Sequence, residues 1–196
     1  MQEFLIYLKL GYQHITDLNG FDHILFIIAL CAISSVKQWK SVLILITAFT
    51  LGHSITLALS TTGLVNVNSE LIELLIPITI LITCVVNFFH KFKKSIYTEP
   101  KNKQFIRYVI ASLFGLIHGL GFSNYLRSLL GAENSIVKPL LAFNIGLEFG
   151  QIIIVMAILL INFLMISILD LRRKTWNLIL SGIVFGMTLM MIINAA

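Results

Sequence analysis

The amino-acid sequence predicts an all-α fold, a polytopic bundle of six transmembrane helices preceded by a short N-terminal helix. Of its 196 residues, 58% are hydrophobic and only 12% are charged, whereas soluble domains carry roughly 25% charged residues. The apolar residues occur in runs of about 20, the length that an α-helix needs to cross a bilayer core of roughly 30 Å. We therefore expect residues 1–196 to form a single domain within a lipid bilayer.

Six apolar runs are long enough to be transmembrane helices. They occupy residues 20–36, 41–62, 71–90, 105–126, 139–168 and 176–195. The segment from Phe4 to Tyr12 is apolar but interrupted by Lys9 and too short to cross a membrane unaided. We expect it to form an interfacial or re-entrant helix, and a seventh span would result if it crossed. Close helix packing is predicted by three glycine pairs at four-residue spacing, Gly115/Gly119, Gly146/Gly150 and Gly182/Gly186.

The basic residues are concentrated in three connections, at 37–40, 91–107 and 172–174. Because basic loops stay preferentially on the cytoplasmic side of a membrane, these loops are predicted to be cytoplasmic and both termini to lie outside. The formal charge of +5 is then explained by topology, and no nucleic-acid partner is expected. The oligomeric state is left open by the sequence.

Ionisable side chains inside the predicted spans are few. A charged group at the centre of a bilayer costs roughly 2.5–3.5 kcal/mol on insertion scales, so each needs a partner or a function. In the predicted topology, every one lies in the outer half of its helix or at the outer surface. These candidate site residues are His14, Asp22, His23, His53, Glu73, His118 and Glu148.

The depth of these residues predicts two layers. At a rise of 1.5 Å per residue, His53, His118 and Glu148 lie roughly 12–15 Å below the outer ends of their spans. By the same count, His23 and Glu73 lie only roughly 5 Å deep. We therefore expect a funnel that is open to the outer side, with a shallow layer above a deeper one.

Imidazole and carboxylate groups are the ligands expected for nickel, zinc, iron or copper. Cys31 and Cys84 lie within apolar runs without a pairing motif, so we interpret them as buried hydrophobic residues. The sequence thus predicts a bound divalent transition-metal ion whose identity stays open. Single residues also have structural interpretations: His53 or His118 as a neutral histidine hydrogen-bonded between helices, and Glu73 as a first-turn acid.

Several of these residues lie in five short blocks that follow one another along the chain. The blocks are Gly11 to Phe26 (with His14, Gly20 and Asp22-His23), Phe49 to Ser54, Glu73 with Pro77, Phe114 to Gly119, and Phe143 to Gln151. They resemble the HupE/UreJ family of bacterial membrane proteins, named for accessory proteins of hydrogenase and urease gene clusters and generally regarded as nickel permeases. The resemblance implies an inner-membrane protein whose polar motif residues are His23, His53, His118 and Glu148, with Asp22, Glu73 and His14 as additional members.

Three functions are compatible with the sequence. The first is a permease for nickel or another divalent transition metal, although no charged residue marks the inner half of the path. The second is an intramembrane metal-dependent hydrolase that acts on a lipid-linked substrate, with Asp22, Glu73 or Glu148 as general base on a metal-bound water. The third is a metal sensor or assembly factor whose site is structural.

Overall fold

The structure is a computed structural model, and it describes residues 2–18, 20–92, 101–130 and 136–195. These residues are helical apart from short connections, which confirms the predicted all-α class. A 3₁₀ turn at Val36–Gln38 precedes α3, and a π-helical segment at Leu164–Ile168 extends α7. The helices are α1 (Gln2–Thr16), α2 (Asp22–Cys31), α3 (Trp39–Thr61), α4 (Ser69–Phe88), α5 (Lys101–Gly121), α6 (Ser123–Leu130), α7 (Val137–Phe163) and α8 (Arg173–Ala195).

In the described part of the chain, five helices are long and apolar enough to cross a membrane. They are Val36–Thr61, Ser69–Phe88, Asn102–Gly121, Val137–Ile168 and Arg173–Asn194, and they match the second to sixth predicted spans. The polytopic membrane bundle is thereby confirmed. The first predicted span, 20–36, needs correction, because the helix at this position is α2, whose 10 residues extend only about 15 Å.

Helix α1 packs lengthwise against α7, an arrangement compatible with the re-entrant form of the predicted N-terminal helix. Gly11 of α1 lies against the backbone of Phe143, and Ile15, further along α1, lies against Gly150. The two helices therefore run in the same direction. Gly11 permits this approach because it has no Cβ atom, which would otherwise overlap the Phe143 carbonyl oxygen.

Helix α2 continues in the direction of α1. The His23 ring at the start of α2 lies beside the His14 ring near the end of α1, and the carbonyl of Cys31 at the end of α2 accepts a hydrogen bond from Asn162, near the end of α7. The chain thus makes one crossing in two halves, interrupted between α1 and α2. Such interruptions inside a membrane are tolerated where the freed backbone is buried in protein or lines a site.

The ends of the helices define two sides of the bundle. We call the side where α2, α4 and α7 end and α3, α5 and α8 begin the basic side, because basic residues adjoin these helix ends, among them Lys37, Lys91 and Arg172. Buried asparagine side chains form hydrogen bonds between helices on this side. Asn162 of α7 accepts a hydrogen bond from the indole of Trp176 in α8, and Asn177 of α8 donates one to the carbonyl of Asn87 in α4. The side where α1 and α7 begin is the opposite side, which the topology predicts to be outside.

Helices α3 and α5 form a second glycine-mediated pair. Gly52 of α3 lies against the backbone of Ser112, while Gly115 and Gly119 of α5 lie against the carbonyls of Phe49 and His53. Two of the three predicted glycine pairs are therefore used for close helix contact. Gly115 and Gly119 lie against the backbone of α3, whereas Gly146 lies against the Leu8 carbonyl of α1 and Gly150 against the Ile15 side chain. The consequence for function is that each glycine-mediated pair positions a histidine-bearing helix: the α1–α7 pair positions His14 of α1, and the α3–α5 pair positions His53 and His118.

Candidate metal centre

Four histidines from four different helices meet inside the bundle. His14 of α1, His23 of α2 and His53 of α3 offer ligand atoms that all lie within 4.8 Å of one another. The ring of His118, from α5, lies 5.2 Å from that of His23 between centroids. Two nitrogens bound to one ion at about 2.1 Å each are at most about 4.2 Å apart, so small side-chain rotations would bring the first three onto a common ion. We call these four residues the histidine centre.

The histidine centre is buried, and its nitrogens lack partners. His53 and His118 have no exposed surface and His23 is 4% exposed, while His14 is half-buried. The Nε2 atom of each of the four rings has no hydrogen-bond partner, and neither does Nδ1 of His53. Each buried polar atom without a partner costs about 1–3 kcal/mol. Since such atoms are rare in proteins, their concentration at one point indicates a binding site.

Two of the imidazoles are oriented by their second nitrogen. Nδ1 of His23 lies 3.1 Å from a carboxylate oxygen of Asp22, and Nδ1 of His118 lies 2.9 Å from the carbonyl oxygen of Phe114. Because both partners are acceptors, each Nδ1 must donate, which leaves the Nε2 lone pair free to bind an ion. This is the arrangement by which carboxylates and carbonyls fix metal-binding histidines. Asp22 also occupies the first residue of α2, where the helix dipole favours a negative charge.

Phenylalanines close the histidine centre on both sides. Toward the opposite side, Phe122 and Phe143 stack at 5.2 Å, and the Phe122 ring lies 3.9 Å from that of His14. Toward the basic side, Phe26 and Phe49 lie 4.9 Å apart, and both contact His118. The centre is therefore enclosed between two aromatic pairs.

The predicted layering of the site is corrected by this arrangement. His23 lies level with His53 and His118, because α2 begins within the bundle and not at its outer edge. Glu73 is exposed on α4 and does not reach the centre. In place of an open funnel, the Phe122–Phe143 pair lies between most of the centre and the opposite side, and the half-buried His14 and Asp22 keep some exposed surface.

Glu148 occupies a separate position. One of its carboxylate oxygens accepts a hydrogen bond from Thr47 of α3, which lies six residues, or about 9 Å of helix, before His53. Helices α3 and α7 run in opposite directions here, since His53 stacks on Phe143 near the start of α7. Glu148 thus lies nearer to the basic side than the histidine centre does.

The four phenylalanines that contact the histidines were not predicted as site residues from the sequence. Their spacing carries a signal, because Phe26 follows His23 by three residues, Phe49 precedes His53 by four, and Phe122 follows His118 by four. Residues three or four apart share one face of a helix. An aromatic residue at these distances from a buried histidine is therefore expected to pack against it.

Comparison with known proteins identifies the family of the chain. A family model described as HupE / UreJ protein matches residues 1–195, a range that contains all four histidines of the centre and both aromatic pairs. Comparisons with curated proteins and with solved structures gave no match. By its match over essentially the entire sequence, the chain belongs to the HupE/UreJ family.

Proposed function

We propose that the protein is a permease for a divalent transition-metal ion, with nickel as the first candidate, and that the ion binds at the histidine centre. The observation that carries this proposal is the set of buried Nε2 atoms of His14, His23, His53 and His118, which have no hydrogen-bond partner. Neutral imidazole nitrogens are ligands for nickel, zinc, copper and iron. Transport is the role generally attributed to the family to which the chain belongs.

The enclosure of the centre supports transport by alternating access. Phe122 and Phe143 separate the histidines from the opposite side, and Phe26 and Phe49 separate them from the basic side. Displacement of one aromatic pair at a time would admit the ion from one side and release it to the other. The interruption between α1 and α2 adjoins the centre, as discontinuous helices adjoin the substrate sites of many transporters.

The geometry favours a permease over the intramembrane hydrolase. A lipid-linked substrate would need an opening at the metal, whereas His53 and His118 have no exposed surface and only His14 of the four histidines is half-buried. Of the three carboxylates considered as general base, Asp22 is hydrogen-bonded to His23, Glu73 is exposed on α4, and Glu148 faces Thr47. Two of the three therefore lie away from an ion held by the histidines, and the third, Asp22, orients His23.

The direct test of transport is metal uptake by proteoliposomes that contain the full chain. We expect saturable uptake of radioactive Ni²⁺, lost in His53→Ala and His118→Ala. His90→Ala is the matched control, because His90 lies beyond the end of α4 on the basic side, and it should retain uptake. Absence of saturable uptake of nickel, cobalt and zinc by the wild type would contradict the permease. Metal binding without uptake would favour the hydrolase or the sensor or assembly factor over the permease.

A further inference from the structure

A second group of buried polar atoms without partners lies on α7, apart from the histidine centre. These atoms are Oδ1 of Asn144, Oε2 of Glu148 and Nε2 of Gln151. The three residues are spaced i, i+4 and i+7, so they share one face of the helix. This face is turned toward α3, because Thr47 donates to Oε1 of Glu148 and Thr50 donates to Oε1 of Gln151.

The carboxylate of Glu148 has one oxygen without a partner. Glu148 is half-buried, and its other oxygen accepts a hydrogen bond from Thr47, whose side chain is exposed. A carboxylate inside a membrane is stabilised by a polar partner or a cation. The oxygen of Glu148 without a partner is buried, and Oδ1 of Asn144, one turn away, is likewise buried and unpartnered. No lysine or arginine of the described part of α7 or α3 lies within this face, since Lys40 and Lys138 are both near helix ends.

The donor atoms at this position differ in kind from those of the histidine centre. Thr47, Asn144 and Glu148 together offer four oxygens and one negative charge, and oxygen ligands select hard cations over the imidazole-binding transition metals. A proton shared by Glu148 would contact only one further oxygen atom, whereas an alkali cation can be bound by several oxygen atoms at once. We propose that Thr47, Asn144 and Glu148 form a second cation site, which binds a sodium ion. Gln151, fully buried and held by Thr50, fixes the orientation of this face.

The position of this sodium site gives it an effect on the histidine centre. Thr47 and His53 are about 9 Å apart along α3, and two cations at that distance in a bundle of low dielectric repel each other. A bound sodium ion should therefore weaken metal binding, and a bound metal ion should weaken sodium binding by the same factor. This linkage rests on the proposed function, whereas the sodium site itself does not.

The site is tested by equilibrium binding of ²²Na⁺ to the purified full chain in detergent, without divalent metal. We expect one saturable sodium ion per chain in the wild type and in His53→Ala, and its loss in Glu148→Gln. Thr47→Val keeps the side-chain volume and removes the hydroxyl, so it should fold and bind sodium several-fold more weakly. Glu70→Gln, which alters an exposed acid at the start of α4, is the matched control and should bind normally.

Three results would overturn the sodium site: no saturable binding by the wild type, equal binding by Glu148→Gln, or loss of binding in His53→Ala. The linkage is tested separately, by Ni²⁺ affinity in sodium chloride and in choline chloride at equal ionic strength and pH. We expect roughly tenfold weaker Ni²⁺ binding in sodium for the wild type and no difference for Glu148→Gln. Sodium-independent Ni²⁺ affinity would overturn the linkage. If Ni²⁺ does not bind at all, the proposed function fails while the ²²Na⁺ result still decides the site.

Discussion

Gly11 of α1 lies in backbone contact with the carbonyl group of Phe143 in α7, at a distance that leaves no room for a Cβ atom. This contact holds α1, and with it His14, inside the bundle. Gly11→Ala should therefore force the helices apart, at about 1–3 kcal/mol or more, since the obstacle is backbone and cannot rotate away. We expect a lower thermal unfolding midpoint and weaker metal binding.

The matched control for this prediction is Gly182→Ala in α8. No atom lies within 4 Å of the position that a Cβ atom would take at Gly182, so the added methyl group meets open space. Alanine at an exposed helical position should be neutral or stabilising by roughly 0.5–1 kcal/mol. Equal unfolding midpoints for the two variants would contradict the close packing of α1 on α7.

The contact between Asp22 and His23 predicts a partial defect in metal binding. Asp22→Asn keeps the size of the side chain but removes the charge that orients Nδ1 of His23. Loss of such a partner typically lowers metal affinity by about 10–100-fold. Calorimetric titration with Ni²⁺ should show this decrease, whereas Asp170→Asn, at an exposed position after α7, should bind as the wild type does. If Asp22→Asn binds Ni²⁺ with unchanged affinity, Asp22 does not contribute to metal binding.

The Phe122–Phe143 pair predicts a kinetic effect. Phe143→Ala removes the ring that stacks on Phe122 and covers His53, so a bound ion should dissociate faster. Stopped-flow chelation of the ion measures this rate directly, and we expect an increase of at least several-fold. Phe105→Ala, at a position 67% exposed, is the control. A dissociation rate equal to that of the wild type would show that the aromatic pair is not a barrier.

The predicted orientation can be checked by cysteine labelling in intact cells. The native Cys31 and Cys84 are fully buried, so introduced thiols should dominate the signal. With the basic loops in the cytoplasm, Ser69→Cys at the start of α4 should react with a membrane-impermeant reagent from outside. Val36→Cys, before α3, should react only after permeabilisation. The reverse pattern would contradict the orientation.

The sequence predicted the five long spans and the membrane class because hydropathy reports directly on burial in lipid. It predicted one continuous helix over residues 20–36, whereas the crossing is made by two helices, α1 and α2. Hydropathy shows which residues are apolar but does not show where a helix is interrupted. The interruption before Asp22 is stabilised by the packing of α1 on α7, in which Gly11 meets residues more than 130 positions later. Such long-range contacts cannot be derived from local pattern.

The same limit applies to the site. The histidines were predicted as site residues because ionisable residues are rare in membrane spans. Their depths in the membrane were wrong, because counting from the span ends placed His23 above His53. In the structure the rings of His23 and His53 lie 5.8 Å apart. Glu73 was assigned to the site on the same count. Its side chain points away from the buried face of α4, which is formed by residues such as Ile72 and Ile76.

The central claim is that the four imidazoles of the histidine centre bind one transition-metal ion. X-ray absorption on the purified, metal-loaded protein, combined with metal analysis, tests it most directly. We predict one ion per chain with imidazole nitrogens at about 2.0–2.1 Å, if the ion is zinc, and loss of the ion in the His53→Ala/His118→Ala double variant. A wild-type protein that holds no ion, or a double variant with the same metal content and the same ligand signature, would contradict the account.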